Sequence, residues 1–239
     1  MSQEKRRVLV LGGTGAVGSA VVRELAQSGH ALNFTYCASE ARAEEIANET
    51  QARKWRLDLQ DASALPKFAA MLETEQAVPE VVIHCATIVR QARVDEASDQ
   101  DWDTTMSVNA RSVFQVCREF GGRMAKVGRG DIVFVSALDR TQSLPIPTVF
   151  AASQGLVSAF VMAAAKDLGP RGVRVNSVAL GLLNAGIGAN LDKKLVEDYL
   201  AMSALRRLGE AKEVAKTITW LALHNTYTNG KVVSVNGGI

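Results

Sequence analysis

Residues 12–18, Gly12-Gly13-Thr14-Gly15-Ala16-Val17-Gly18, carry the pattern with the plainest chemical meaning in the chain. Gly13, Gly15 and Gly18 stand at the spacing G-x-G-x-x-G, after an apolar run and before a helical one. A turn built from residues without side chains lets a phosphate approach the backbone. The helix start behind it offers free N–H groups and a partial positive charge. In that context the motif predicts a dinucleotide site made by Gly12, Thr14, Gly15, Ala16, Val17 and Gly18. The acid expected about twenty residues further on, which would bond the adenosine ribose, is missing. The second apolar run ends Thr35-Tyr36-Cys37-Ala38, and the first acid after it is Glu40. NADP is therefore expected ahead of NAD. Arg42 is a candidate partner for a 2′-phosphate, although it fits a solvated helix face equally well. Asp58, followed by Leu59, stands where an acid can bond the adenine amino group. His84 closes another apolar run. It could serve as an acid near neutral pH or simply pack at a strand end.

The elements that must position these residues alternate along the chain. Strands are expected at residues 8–11, 31–36, 55–59, 81–85, 131–136, 173–178 and 231–235. Helices are expected at 15–28, 41–49, 103–126, 150–168 and 210–224. Strands apolar on both faces, alternating with helices, call for a parallel sheet covered on both sides. The fold class is α/β, a three-layer doubly wound Rossmann fold of about seven strands, in a single domain over 1–239. The helix at 150–168 is apolar almost all round, so both its sides should be covered. Residues 180–201, interrupted by Gly181, Gly186 and Gly188, read as an irregular binding loop or lid.

The chain has 239 residues and a net charge of +2, with basic and acidic residues interspersed, which marks no nucleic-acid or membrane partner. No stretch approaches the roughly 20 apolar residues of a membrane span. The basic start is followed too soon by Gly12 and Gly13 to be a signal peptide. Cys37, Cys85 and Cys117 are widely spaced and form no metal-ligand set. They read as reduced thiols of a cytoplasmic protein.

The later part of the chain carries a resemblance. Residues 165–178, Ala-Lys-Asp-Leu-Gly-Pro-Arg-Gly-Val-Arg-Val-Asn-Ser-Val, with Arg207-Leu208-Gly209-Glu210 and the ending Val235-Asn236-Gly237-Gly238, resemble short-chain dehydrogenases/reductases, especially 3-oxoacyl-(acyl-carrier-protein) reductases. The resemblance implies chemistry by Asn, Ser, Tyr and Lys. Tyrosine protonates the carbonyl oxygen as hydride arrives, and lysine lowers the tyrosine pKa. Serine bonds the carbonyl, and asparagine supports the lysine through a water. Asn109 matches the family asparagine. The serine position falls on Ala137, with Ser136 one residue away. The Tyr-x-x-x-Lys positions fall on Phe150 and Gln154. Asn-Asn-Ala-Gly after the fourth strand is replaced by His84-Cys85-Ala86-Thr87, and Pro-Gly after the sixth by Leu180-Gly181. Ser136, Asp139, Arg140 and Ser143 occupy the stretch that in the family lines the substrate pocket.

Two functions follow from the resemblance and these departures. One is an NADP-dependent oxidoreductase-like protein. Ala86 and Asn109 join its cofactor site, and it acts on a carbonyl, acyl-carrier-bound or polyketide-like substrate by a route without the usual Ser, Tyr and Lys. The other is an inactive structural or regulatory subunit. A homotetramer, or a mixed tetramer with an active paralogue, is expected through the helices 103–126 and 150–168 and the last segment, 231–239.

Overall fold

The computed structural model describes residues 5–137 and 146–239. Its centre is a seven-stranded sheet whose pairs are all parallel. The order is β3-β2-β1-β4-β5-β6-β7, for β1 (Arg7–Leu11), β2 (Ala31–Tyr36), β3 (Arg53–Arg56), β4 (Val81–His84), β5 (Gly130–Ser136), β6 (Val173–Leu180) and β7 (Val232–Val235). The order reverses direction between β1 and β4. In such sheets ligands bind there, beyond the carboxyl ends of the strands.

Alternate residues of β1 feed two separate cores, as the period of two in a strand requires. Leu9 and Leu11 belong to the core beneath α3 (Ala64–Thr74), α5 (Ser112–Val116), α6 (Gly122–Val127) and α7 (Thr148–Leu168), and α4 (Asp99–Met106) leads into α5 on the same side. Val8 and Val10 belong to the core beneath α1 (Ala16–Ala26), α2 (Glu40–Thr50) and α9 (Ala211–Leu223). The expected three-layer α/β fold is the observed one. The rod from α4 to α6 is continuous but contains two π-helical turns, Ser107–Arg111 and Cys117–Gly121.

Four expectations need correction. The third strand lies at Arg53–Arg56, not at 55–59, and it is not apolar on both faces. It is a sheet edge, and its exposed basic residues suit an edge that faces water. Residues 64–74, left unassigned by the pattern, form α3, with Leu65, Phe68, Ala69 and Leu72 buried on one face. Residues 180–201 are not irregular throughout. Gly186–Asn190 is a 3-10 turn, and α8 spans Lys193–Met202. The Asp192 carboxylate accepts from the N–H of Lys194 at 2.8 Å, capping the free amides that start α8. Finally, one segment does reach membrane-spanning length and apolarity, Thr148–Arg171. It is a core helix, with Val157, Val161 and Leu168 buried in the first of the two cores.

Candidate active site

The glycine loop bends between β1 and α1 as the motif requires. Gly12 has φ +79°, and a Cβ there would lie 2.7 Å from the backbone of Ala86, so the turn after β1 can lie this close to the segment after β4 only because Gly12 has no side chain. A Cβ on Gly13 would strike the Phe34 ring at 2.6 Å, and one on Gly18 would lie 2.2 Å from the Gly12 carbonyl oxygen. Gly18 therefore serves the packing of helix on strand. Gly15 is the residue on the open side. It is exposed, and its Cβ would meet nothing nearer than the Gly12 oxygen at 3.4 Å. Gly15 is also the N-cap of α1 and supplies no side-chain cap. The start of α1 is thus an exposed helix N-terminus whose first amides no side chain caps, which fits a pyrophosphate.

Cys37, Asp58 and Arg42 are all exposed around the ends of β2 and β3. The Arg42 guanidinium lies 3.3 Å from Ser19 Oγ, on α1 just behind the loop. Burial and the neighbouring Asp58 carboxylate raise the Cys37 pKa, so its thiol is neutral at pH 7. The Leu59 side chain is buried in the core, which leaves only its backbone for a ligand.

His84 does not face the cleft as an acid. It is 2% exposed, its Nε2 lies 2.8 Å from Ser112 Oγ, and its ring packs on Phe134. Burial pushes its pKa down to about 4, so the ring is neutral at physiological pH. Its folded pKa lies below the unfolded value near 6.5. Its contribution to stability is therefore complete above pH 6.5 and is lost as pH falls through 4. Urea titrations should show stability falling by about 3 kcal/mol over that window. They should show a clearly shallower fall in His84→Gln.

Asn109 sits in the first π turn and is 3% exposed. Its Oδ1 accepts the Ile88 N–H at 2.9 Å. Its Nδ2 donates to the Ile88 carbonyl at 2.8 Å and to Ser153 Oγ at 3.1 Å. Ser153 donates to the Phe150 carbonyl at 2.7 Å and receives a long bond, 3.4 Å, from Gln154 Nε2. Gln154 Oε1 accepts the Ala137 N–H at 3.0 Å. One chain of hydrogen bonds thus ties the segment after β4, the π turn, α7 and the end of β5. Ser136 Oγ lies 3.0 Å from Ser177 Oγ on the neighbouring strand.

These residues close one side of a cavity of about 540 Å³. It is lined by Gly15, Ala16 and Val17 of the loop, Ser136 and Ala137 after β5, Phe150 and Gln154 of α7, and residues of the segment around α8. Its walls are mainly apolar, including Val89, Val135, Leu182 and Ile187. The segment after β6 is anchored at its base. Asn184 N–H donates to Gly209 O, Gly209 N–H to Leu182 O, and Tyr199 OH bridges the Leu182 N–H and the Asn236 carbonyl. Its tip reaches the glycine loop, where a Cβ on Gly186 would lie 3.0 Å from that of Ala16. Of the substrate-loop candidates, Asp139, Arg140 and Ser143 lie outside the described residues.

The family described as enoyl-(acyl carrier protein) reductase matches residues 13–239. The chain belongs to the short-chain dehydrogenases/reductases. It is 28% identical to 3-oxoacyl-(acyl-carrier-protein) reductase of Thermotoga maritima, an alignment covering 100% of this chain and 99% of the relative. It is 26% identical to the enzyme of the same name from Chlamydia trachomatis, over 98% of this chain and 97% of the relative. The solved structure of a short-chain dehydrogenase/reductase from Serratia marcescens superposes with a TM-score of 0.89 at 27% identity, covering 99% of this chain and 98% of that one. Within this family of oxidoreductases, the chain has the glycine loop at one end of the cavity and Ala137, Phe150 and Gln154 among its walls. Sequence reasoning missed Ser153, which joins Asn109 to Gln154. A serine beside Gln154 on an apolar helix carries no signal by itself.

Proposed function

We propose that the protein binds NADP(H) at Gly12, Thr14, Gly15, Ala16, Val17 and Gly18. Asp58, the Leu59 backbone, Ala86 and Asn109 complete the site. It acts on a carbonyl, acyl-carrier-bound or polyketide-like substrate by a route that does not use the usual Ser, Tyr and Lys. One observation carries this reading. The uncapped start of α1 opens into the same large cavity that Phe150 and Gln154 line. When bound, the nicotinamide would give or accept hydride. The chain's own residues then bind and orient. Phe150 has no proton to give, Gln154 has no charge, and the Ser136 hydroxyl is engaged by Ser177. The missing ribose carboxylate, and Arg42 held beside Ser19, favour NADP over NAD. Calorimetric and fluorescence titration should give a lower Kd for NADPH than for NADH, by about tenfold or more, the worth of one charge-assisted hydrogen bond. A preference for NADH, or no binding of either, would overturn the cofactor assignment.

The second reading is an inactive subunit that works in the cytoplasm beside an active paralogue. It is favoured by the exposed apolar residues on the α4–α7 side. Trp102 is 47%, Phe114 44% and Met162 40% exposed, and Phe114 stacks edge-on against Phe160. A surface of this kind calls for a partner. For either reading we expect a tetramer, and light scattering at micromolar concentration should report about four times the 25.6 kDa chain mass. Replacing Phe114 with Glu should shift that mass downward, and a wild-type monomer would exclude the interface.

A further inference from the structure

The amide of Gln154 is oriented by its partners. The Ala137 N–H can only donate, so the atom 3.0 Å from it must be the amide oxygen, and the nitrogen must lie on the other side. That nitrogen carries two hydrogens. One points to Ser153 Oγ across a long 3.4 Å. Ser153 has no further capacity. Its single proton goes to the Phe150 carbonyl, and its two lone pairs receive Asn109 and Gln154. The second hydrogen of Gln154 has no acceptor among the described residues, although the side chain is 3% exposed and lines the cavity. A buried donor of this kind is costly to leave unmade. The cavity it lines is mainly apolar, with Phe150, Val135 and Leu180 among the walls.

We infer that the free N–H of Gln154 is a binding anchor for the carbonyl oxygen of a neutral, apolar ligand, held beside Phe150 in the cavity. The inference rests on the proposal that the cleft takes a carbonyl compound, and it names the class. The ligand is an uncharged ketone, ester or lactone whose oxygen accepts one hydrogen bond while its carbon body fills the apolar walls. A neutral amide polarises such a carbonyl without transferring a proton to it. Gln154 thus contacts substrate in this reading, in addition to bracing Ala137.

The test uses two matched probes on the full-length protein. One is 4-phenylbutan-2-one, labelled with ¹³C at the carbonyl. The other is butylbenzene, which has a similar body and no acceptor. Difference infrared spectra should show the bound carbonyl stretch lowered relative to its value in cyclohexane. In Gln154→Met the lowering should disappear, and affinity for the ketone should fall by about threefold to tenfold, the net worth of one hydrogen bond. Butylbenzene should bind both proteins equally. An unshifted stretch in the wild type overturns the anchor. So does a variant that loses butylbenzene as much as the ketone, because Gln154 would then be structural only. A loss of NADPH affinity with no loss of ketone affinity assigns the N–H to the cofactor and also overturns it. Should the methionine variant not fold, Gln154→Asn withdraws the same amide by one methylene and is read by the same outcomes. Failure of the broader proposal looks different, since wild-type protein would then bind no NADPH at all.

Discussion

The triple variant Ala137→Ser, Phe150→Tyr and Gln154→Lys should reduce a ketoacyl thioester with NADPH about 10²–10⁴ times faster than the wild type, the usual worth of a positioned general acid. Phe150 is 5% exposed on the first turn of α7 and lines the cavity, so a tyrosine there adds one oxygen at the wall without moving the helix. The lysine is the harder change. Gln154 Oε1 holds the Ala137 N–H, and an ammonium cannot accept that bond. Gln154→Lys alone should therefore strand a buried donor, cost about 1–3 kcal/mol in urea unfolding, and stay inactive. Only when Phe150→Tyr accompanies it does the lysine charge have a neighbouring phenol whose pKa it can depress. Two results would count against this account. Wild-type turnover near ~10 per second, ordinary for an enzyme, would show that another donor is already at work. A folded triple variant that binds NADPH and stays inert would show that the cleft has been rebuilt beyond these three side chains.

The sequence made the fold legible because period and composition agree in its central strands. Residues 8–10 and 81–83 are apolar on both faces, and they are central in the sheet. The misreadings came where a local signal conflicted with tertiary position. Leu57 and Leu59 drew the third strand past its end, whereas they are buried anchors after a polar edge strand. Pro66 masked α3, yet it stands in the first turn, where a proline breaks no intrahelical bond. Gly186 and Gly188 masked α8, although they end before Asp192 caps it. The glycine loop was legible as a bend between β1 and α1, because its glycines and their spacing are local. The hydrogen bonds that join Asn109, Gln154 and their partners could not be read. Ser153, Ala137 and Ile88 are far apart in sequence and meet only when α7 docks on β5 and the π turn.

Two glycines of one motif should answer substitution in opposite ways. Gly15→Leu should abolish NADPH binding, raising Kd by at least about a hundredfold, the loss expected when several amide–phosphate hydrogen bonds go together, with the melting temperature little changed. Gly15 has φ −67° and ψ 166°, an extended conformation open to any residue, and its Cβ would touch only the Gly12 oxygen, at 3.4 Å. The added side chain then occupies the space in front of the uncapped amides, where a pyrophosphate would lie. Gly18→Val should act on the fold first. Its Cβ would come within 2.2 Å of the Gly12 carbonyl oxygen, inside the contact of helix and strand, and backbone cannot yield there as a flexible side chain would. Overpacking of this kind costs about 1–3 kcal/mol, or roughly 2–12 °C in melting temperature for a chain of this size. Any loss of NADPH in Gly18→Val should follow from the distorted loop. Differential scanning calorimetry and NADPH titration on the two variants separate the cases. A stable Gly15→Leu protein that binds NADPH normally would mean that no dinucleotide phosphate sits at the start of α1. A Gly18→Val protein as stable as the wild type would mean that the loop yields where its backbone contacts say it cannot.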